Sequence, residues 1–297
     1  MDNNFEQPHQ NETVQRSKEA VREDAKGLLE SVKIFLLELL DFRHDTDREA
    51  TISAIKADIP FKGATAWILI CSIFVASVGL NANSTAVVIG AMLISPLMGP
   101  ILGVGLSIAI NDIDTLRKSM INLLTMVALS LLTAFLCFYF LPLYEDNSEL
   151  LGRVKPDIRD VLIAFFGGLA LIIARTKKGT IATVIFGVAI ATALMPPLCT
   201  AGYGLSQGNW DYFVGAMYLF AINTIFIALA TFIVLKVLRF PMLNYANSKR
   251  RKAIARIAAL IALAMMLPAG WTFYDVLKES QYNFDYKNYL EKEINNN

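Results

Sequence analysis

Histidine is almost absent from this sequence. The only two, His9 and His44, lie in its polar N-terminal stretch. The remainder therefore lacks the commonest general base and metal ligand. It contains no HExxH, no phosphate-cradling Walker motif and no cluster at metal-ligand spacing. No nucleophile can be matched to a base. The sequence therefore predicts no enzyme, no metal and no cofactor. Cysteine is scarce and odd in number: Cys71, Cys137 and Cys199 each fall in an apolar run. That argues against a disulfide framework and for small buried hydrophobes. An excess of either charge is also lacking. Lys and Arg number 27 against 26 Asp and Glu, a formal net charge of +1, so no nucleic-acid partner is expected. No basic stretch leads into a short apolar core near the start, so no signal peptide is expected.

Apolar residues are what the chain has. They make up 55% of it, with a mean hydropathy of +0.47, too apolar for a soluble domain of this length. Seven apolar segments run roughly over Ala64–Leu80, Thr85–Ile110, Ser119–Leu141, Val161–Ala174, Thr180–Leu205, Tyr212–Leu238 and Ala253–Trp271. A crossing helix needs about 20 residues, with some tolerance. No Asp, Glu, Lys, Arg or His lies well inside a segment, so a proton relay built on membrane acids is unsupported. Residues 1–27 are polar. Leu28–Phe42 places Leu29, Val32, Phe35, Leu36 and Leu39 on one helical face, suited to a membrane surface or another subunit. "TDRE", Thr46 to Glu49, reads as a capping box for a short helix that stops before Pro60.

Loop charges orient the segments. With the N-terminus inside, the inner loops carry Arg117 and Lys118, then Arg175, Lys177 and Lys178, then the cluster from Lys236 to Lys252. Two outer loops, "NANS" and "SQGNWD", have no Lys or Arg. The positive-inside rule then predicts an inner N-terminus, an outer C-terminus and seven crossings. "SKRRK", Ser248 to Lys252, is expected to be a topology anchor meeting anionic lipid.

The sequence also repeats. Displaced by 97 residues, "GAMLISPLMGPILGVG" (Gly90 to Gly105) falls on "GVAIATALMPPLCTAG" (Gly187 to Gly202). Gly90, Leu97, Met98, Pro100 and Gly105 meet identical residues, and Ser95 meets Thr192. The first three apolar segments fall on the next three. A unit of three crossings must be inverted in its second copy, an arrangement common among secondary transporters. Pro96 and Pro100 in one copy, and Pro196 and Pro197 in the other, should break the helices. Half-helix N-termini would then face each other near the bilayer midplane, offering unpaired N–H groups to an anion. Ser95 and Thr192 would add hydroxyls, and Gly99 close backbone approach. Asn122 and Asn223 on the partner helices could complete a polar site, or bond helix to helix. The competing reading is two kinked, tightly packed helices with Gly99 and Gly103 in a small-xxx-small contact. No fixed cation is expected at the breaks, so affinity for an anion should be modest.

"STAVVIGAMLISPLMGPILGVGLSIAINDIDTLRKS" (Ser84 to Ser119) and "ALMPPLCTAGYGL" resemble the domain-of-unknown-function-389 family of prokaryotic membrane proteins. The resemblance covers roughly 60–240. It implies a prokaryotic, polytopic membrane protein and supplies no catalytic or binding residues.

The resulting expectation is an all-α polytopic membrane protein of a prokaryotic inner membrane, with seven transmembrane segments. A cytoplasmic arm (1–62) precedes repeat one (63–142) and repeat two (160–240), and a C-terminal helix and tail follow (250–297). The two repeats form a 3+3 inverted pair with two broken helices. Its expected function is passage of a small polar or anionic solute through Ser95, Pro96, Gly99, Pro100, Thr192, Pro196, Pro197, Asn122 and Asn223. The alternatives are a non-transporting scaffold, a lipid-binding protein or a sensor working through the arm. Membrane lipid and copies of itself are the expected partners.

Overall fold

The computed structural model describes residues 46–141, 148–154, 158–177 and 183–242, with scattered positions between 256 and 292. The amphipathic stretch Leu28–Phe42, the basic cluster 248–252 and nearly all of the seventh apolar segment lie outside the described residues. Among the described residues of 47–242 the regular elements are helices: α1 Arg48–Asp58, α2 Ala64–Asn81, α3 Thr85–Leu93, α4 Met98–Ile110, α5 Ile113–Phe140, the short α6 Ser148–Leu151, α7 Ile158–Thr176, α8 Thr183–Ser206 and α9 Trp210–Val237.

Caps decide where these helices start. The Asp47 carboxylate accepts from the Ala50 amide at 3.0 Å and caps α1. The capping residue is thus one place later than the Thr46 expected from the box. Asp112 caps α5 through the Thr115 amide, and Asn209 caps α9 through the amides of Asp211 and Tyr212. Both helices therefore begin before their apolar segments do. Pro60 follows the end of α1, as expected.

Several helix ends and turns are related by a displacement of 97 residues. Both ends of α5 recur at the ends of α9 with the same displacement of 97 residues. The turn before each recurs too. Asn111 is left-handed (φ 61°) and the Asp112 amide donates to the Ser107 carbonyl at 2.8 Å. Gly208 is left-handed (φ 66°) and the Asn209 amide donates to the Gly204 carbonyl at 2.8 Å. Helix neighbours exchange in step. α2 packs on α3 and α5 as α7 packs on α8 and α9, and α4 packs on α9 as α8 packs on α5. At the two crossings, a Cβ on Gly105 would lie 2.6 Å from Thr231 Cβ, and one on Gly202 would run into Ala134. Ala134 and Thr231 are themselves 97 residues apart.

Among the described residues three helices, α2, α5 and α9, are long and apolar enough to cross a membrane, and the bent pair α3–α4 makes a fourth if counted as one span. Their outer faces leave Trp67, Phe74, Ile121, Leu124, Phe140 and Val214 exposed, a surface that suits lipid rather than water.

Candidate functional site

The first expected break exists. α3 and α4 meet at 55° across Ile94–Leu97. Two prolines account for it. Pro96 disfavours helix at Ser95, which has no regular structure. Pro100 is the third residue of α4, where its missing amide proton breaks no intrahelical bond. No side chain caps the N-terminus of α4.

The second expected break does not exist. α8 is helical from Thr183 through Ser206, with Pro196 and Pro197 inside it. Adjacent prolines disturb the same turn rather than two. The surrounding stretch, Leu194 to Gly204, is entirely buried, with α5, α7 and α9 as its main neighbours. Close packing of this kind lets membrane helices keep proline. The facing pair of half-helix N-termini is therefore corrected to one break beside one continuous helix.

The break opens on a cavity of about 440 Å³ whose lining includes Asp58, Ile68, Leu93, Ser95, Gly99 and Arg175. Its level in the bundle corrects a second expectation. Thr65 and Ile68 belong to the first turns of α2, and Arg175 is the penultimate residue of α7. The break thus sits at one end of the helices, not halfway along them.

The cation is the third correction. Arg175 stands in the cavity wall with its side chain 16% exposed, and its guanidinium pairs with Asp58. Arg175 Nε is buried and makes no hydrogen bond. Ser95 Oγ in the same wall is likewise buried without a partner. Buried donors without partners are costly, which favours an acceptor at this place. The sequence shows Arg175 only as a loop charge after an apolar run. Nothing in its spacing ties it to Asp58, which is 117 residues away.

Other expected site residues are dispersed. Pro96 lines the cavity, while Pro100 is buried in α4. Pro196 and Pro197 are buried within α8. Thr192 is on α8, and its side chain lies outside the described residues. Asn223 is 2% exposed on α9 and is not in the cavity lining. Asn122 donates to the Ile59 carbonyl at 3.0 Å and faces a different cavity. Its role here is to hold the chain that follows α1.

α1 covers the break. A Cβ on Gly99 would collide with the Asp58 carbonyl, so only glycine admits the end of α1 here. Ile59 packs on Gly103, and Lys56 Nζ lies 2.6 Å from Asp112 Oδ2. Burial raises the Asp112 pKa, but hydrogen bonds from Lys56 and Thr115 outweigh it. They hold the carboxyl below its ordinary value. The expected Gly99–Gly103 contact thus exists: Gly99 receives the end of α1, while Gly103 receives Ile59 and Ser119 of α5.

An all-helical protein with apolar outer faces and a broken helix closed by a short amphipathic one has the character of a membrane protein. Residues 92–229 match the family model described as "Domain of unknown function (DUF389)", the family that the motifs at Ser84–Ser119 resemble. An uncharacterized protein of the archaeon Methanocaldococcus jannaschii is 31% identical over 166 residues, covering 56% of this chain and 51% of that protein. The chain thus spans about half the length of this curated relative. No solved structure matches the chain.

Proposed function

We propose that this protein passes a small anionic or polar solute across a prokaryotic inner membrane, with the cavity at the α3–α4 break as its binding site. One observation carries the reading: Arg175 Nε and Ser95 Oγ are both buried without partners in one cavity wall, beside the uncapped N-terminus of α4. A cation, a hydroxyl and a helix N-terminus converge there on what an anion needs. The duplicated turns and exchanged helix contacts support a 3+3 inverted repeat, in which one copy keeps its helix and the other breaks it. No catalytic role and no cofactor are proposed. Copies of the chain are proposed to associate through its apolar faces.

The test is anion flux into liposomes holding the purified protein. Wild type should pass at least one small anion from a screen of mono- and divalent species. Ser95→Ala should slow that anion by roughly fivefold to tenfold, the worth of one hydrogen bond of about 1 to 1.5 kcal/mol. Absence of any protein-dependent flux would instead favour a scaffold or lipid-binding role, which the dry packing around Pro196 and Pro197 suits.

Orientation follows from the loop charges: seven crossings, with the α1 end of the bundle inside. In a variant lacking the three native cysteines, single cysteines placed at 206–210 should react with an impermeant reagent added outside. Cysteines at 248–252 should not. Reversed labelling would refute the orientation.

A further inference from the structure

A second cavity, of about 400 Å³, lies on the other side of α1, between the chain that follows it and the start of α5. Among the described residues its lining includes Lys56, Lys62, Lys118, Thr115, Asn122 and Phe61, and none of the described lining residues is acidic. Three lysines thus line one concave wall, and like charges so placed repel each other unless an anion shares the space. Asp112 answers only Lys56, through the 2.6 Å pair, while Lys62 and Lys118 are exposed. Thr115 Oγ1 is turned away, donating to Asp112 Oδ2 at 2.6 Å. The cavity is therefore left with an unanswered positive charge.

We propose that this cavity binds a phosphate group, presented by an anionic lipid or free in solution. The apolar surface beside it favours the lipid. One turn beyond Lys118, Ile121 is exposed, followed by Leu124, 63% exposed, on the outer face of α5. A headgroup held by Lys62 and Lys118 would lay its acyl chains along that face. Basic pockets at the membrane rim act in this way, each lysine contributing on the order of 1 kcal/mol. The two cavities share Pro60, but Lys62 and Lys118 line only this one, and the proposal needs only that the chain sits in a membrane.

The experiment uses the full chain in mild detergent, with Lys62→Gln/Lys118→Gln as the variant. Both side chains are exposed, and Lys56 is left alone to keep its bond to Asp112. Thermal unfolding should be unchanged without added ligand. Native mass spectrometry with phosphatidylglycerol and phosphatidylcholine forms one arm. A thermal shift with millimolar inorganic phosphate forms the other. Wild type should retain phosphatidylglycerol over phosphatidylcholine, and the variant should bind it roughly thirtyfold more weakly. A phosphate-induced shift lost in the variant would assign the pocket to the free anion. If wild type and variant agree in both arms, the site does not exist. Neither arm measures flux, so the solute reading fails or stands separately.

Discussion

Arg175→Gln should reduce anion flux by at least tenfold, and Asp58→Asn should raise apparent affinity for the same anion. The two side chains form one ion pair, so a purely structural role predicts that breaking it from either end has the same effect. The pair is partly open to water, with Asp58 47% exposed, so its worth to stability is on the order of 0.2 to 1 kcal/mol. A solute contact predicts opposite signs instead. Losing the guanidinium removes a charge-assisted bond of about 1.5 to 3 kcal/mol, or roughly tenfold to a hundredfold. Neutralising Asp58 removes the carboxylate that competes with the solute for that guanidinium. Liposome flux against anion concentration reads both. Parallel changes in the two variants would reduce Arg175 to a tie between α1 and α7.

The largest effect on folding is expected at the two close helix crossings, at Gly105 and Gly202. Gly105→Leu and Gly202→Leu should each destabilise the protein by about 1 to 3 kcal/mol or more. At Gly105 a Cβ would lie 2.6 Å from the Ala228 carbonyl oxygen, and at Gly202 one would lie 2.9 Å from the Phe135 amide nitrogen. Backbone cannot swing aside as a side chain can, so the helices must separate and lose contact along their length. Gly90→Ala is the control. A Cβ there meets nothing within 4 Å, and helix propensity makes the change neutral or stabilising by about 0.5 to 1 kcal/mol. Thermal unfolding in detergent compares the three. Wild-type stability in Gly105→Leu or Gly202→Leu would show that the crossing is looser than the structure has it.

Much of this architecture was legible in the residues alone. Hydropathy located the helices because burial in lipid or protein selects apolar residues over whole turns. The 97-residue displacement was visible because the Gly and Pro positions recur, and those residues report backbone geometry directly. The break at Ile94–Leu97 followed from two prolines four apart, one of which suits the first turn of a new helix. The same rule failed at Pro196 and Pro197. Proline's penalty is local, whereas burial of the surrounding turns by neighbouring helices is not, and there the packing prevailed. The cation at the break also lay beyond sequence reading. Arg175 reaches Asp58 only because α1 folds back over the glycine face of α4 and the end of α7. Asn122 was readable as a polar residue on a partner helix, but only the docking of α1 decided that it holds Ile59 instead of a solute. Local rules of helix start, stop and polarity act over a few residues and so are written in the sequence. Which surfaces meet across a hundred residues depends on shape and on what each contact excludes, and that was decided by the tertiary structure.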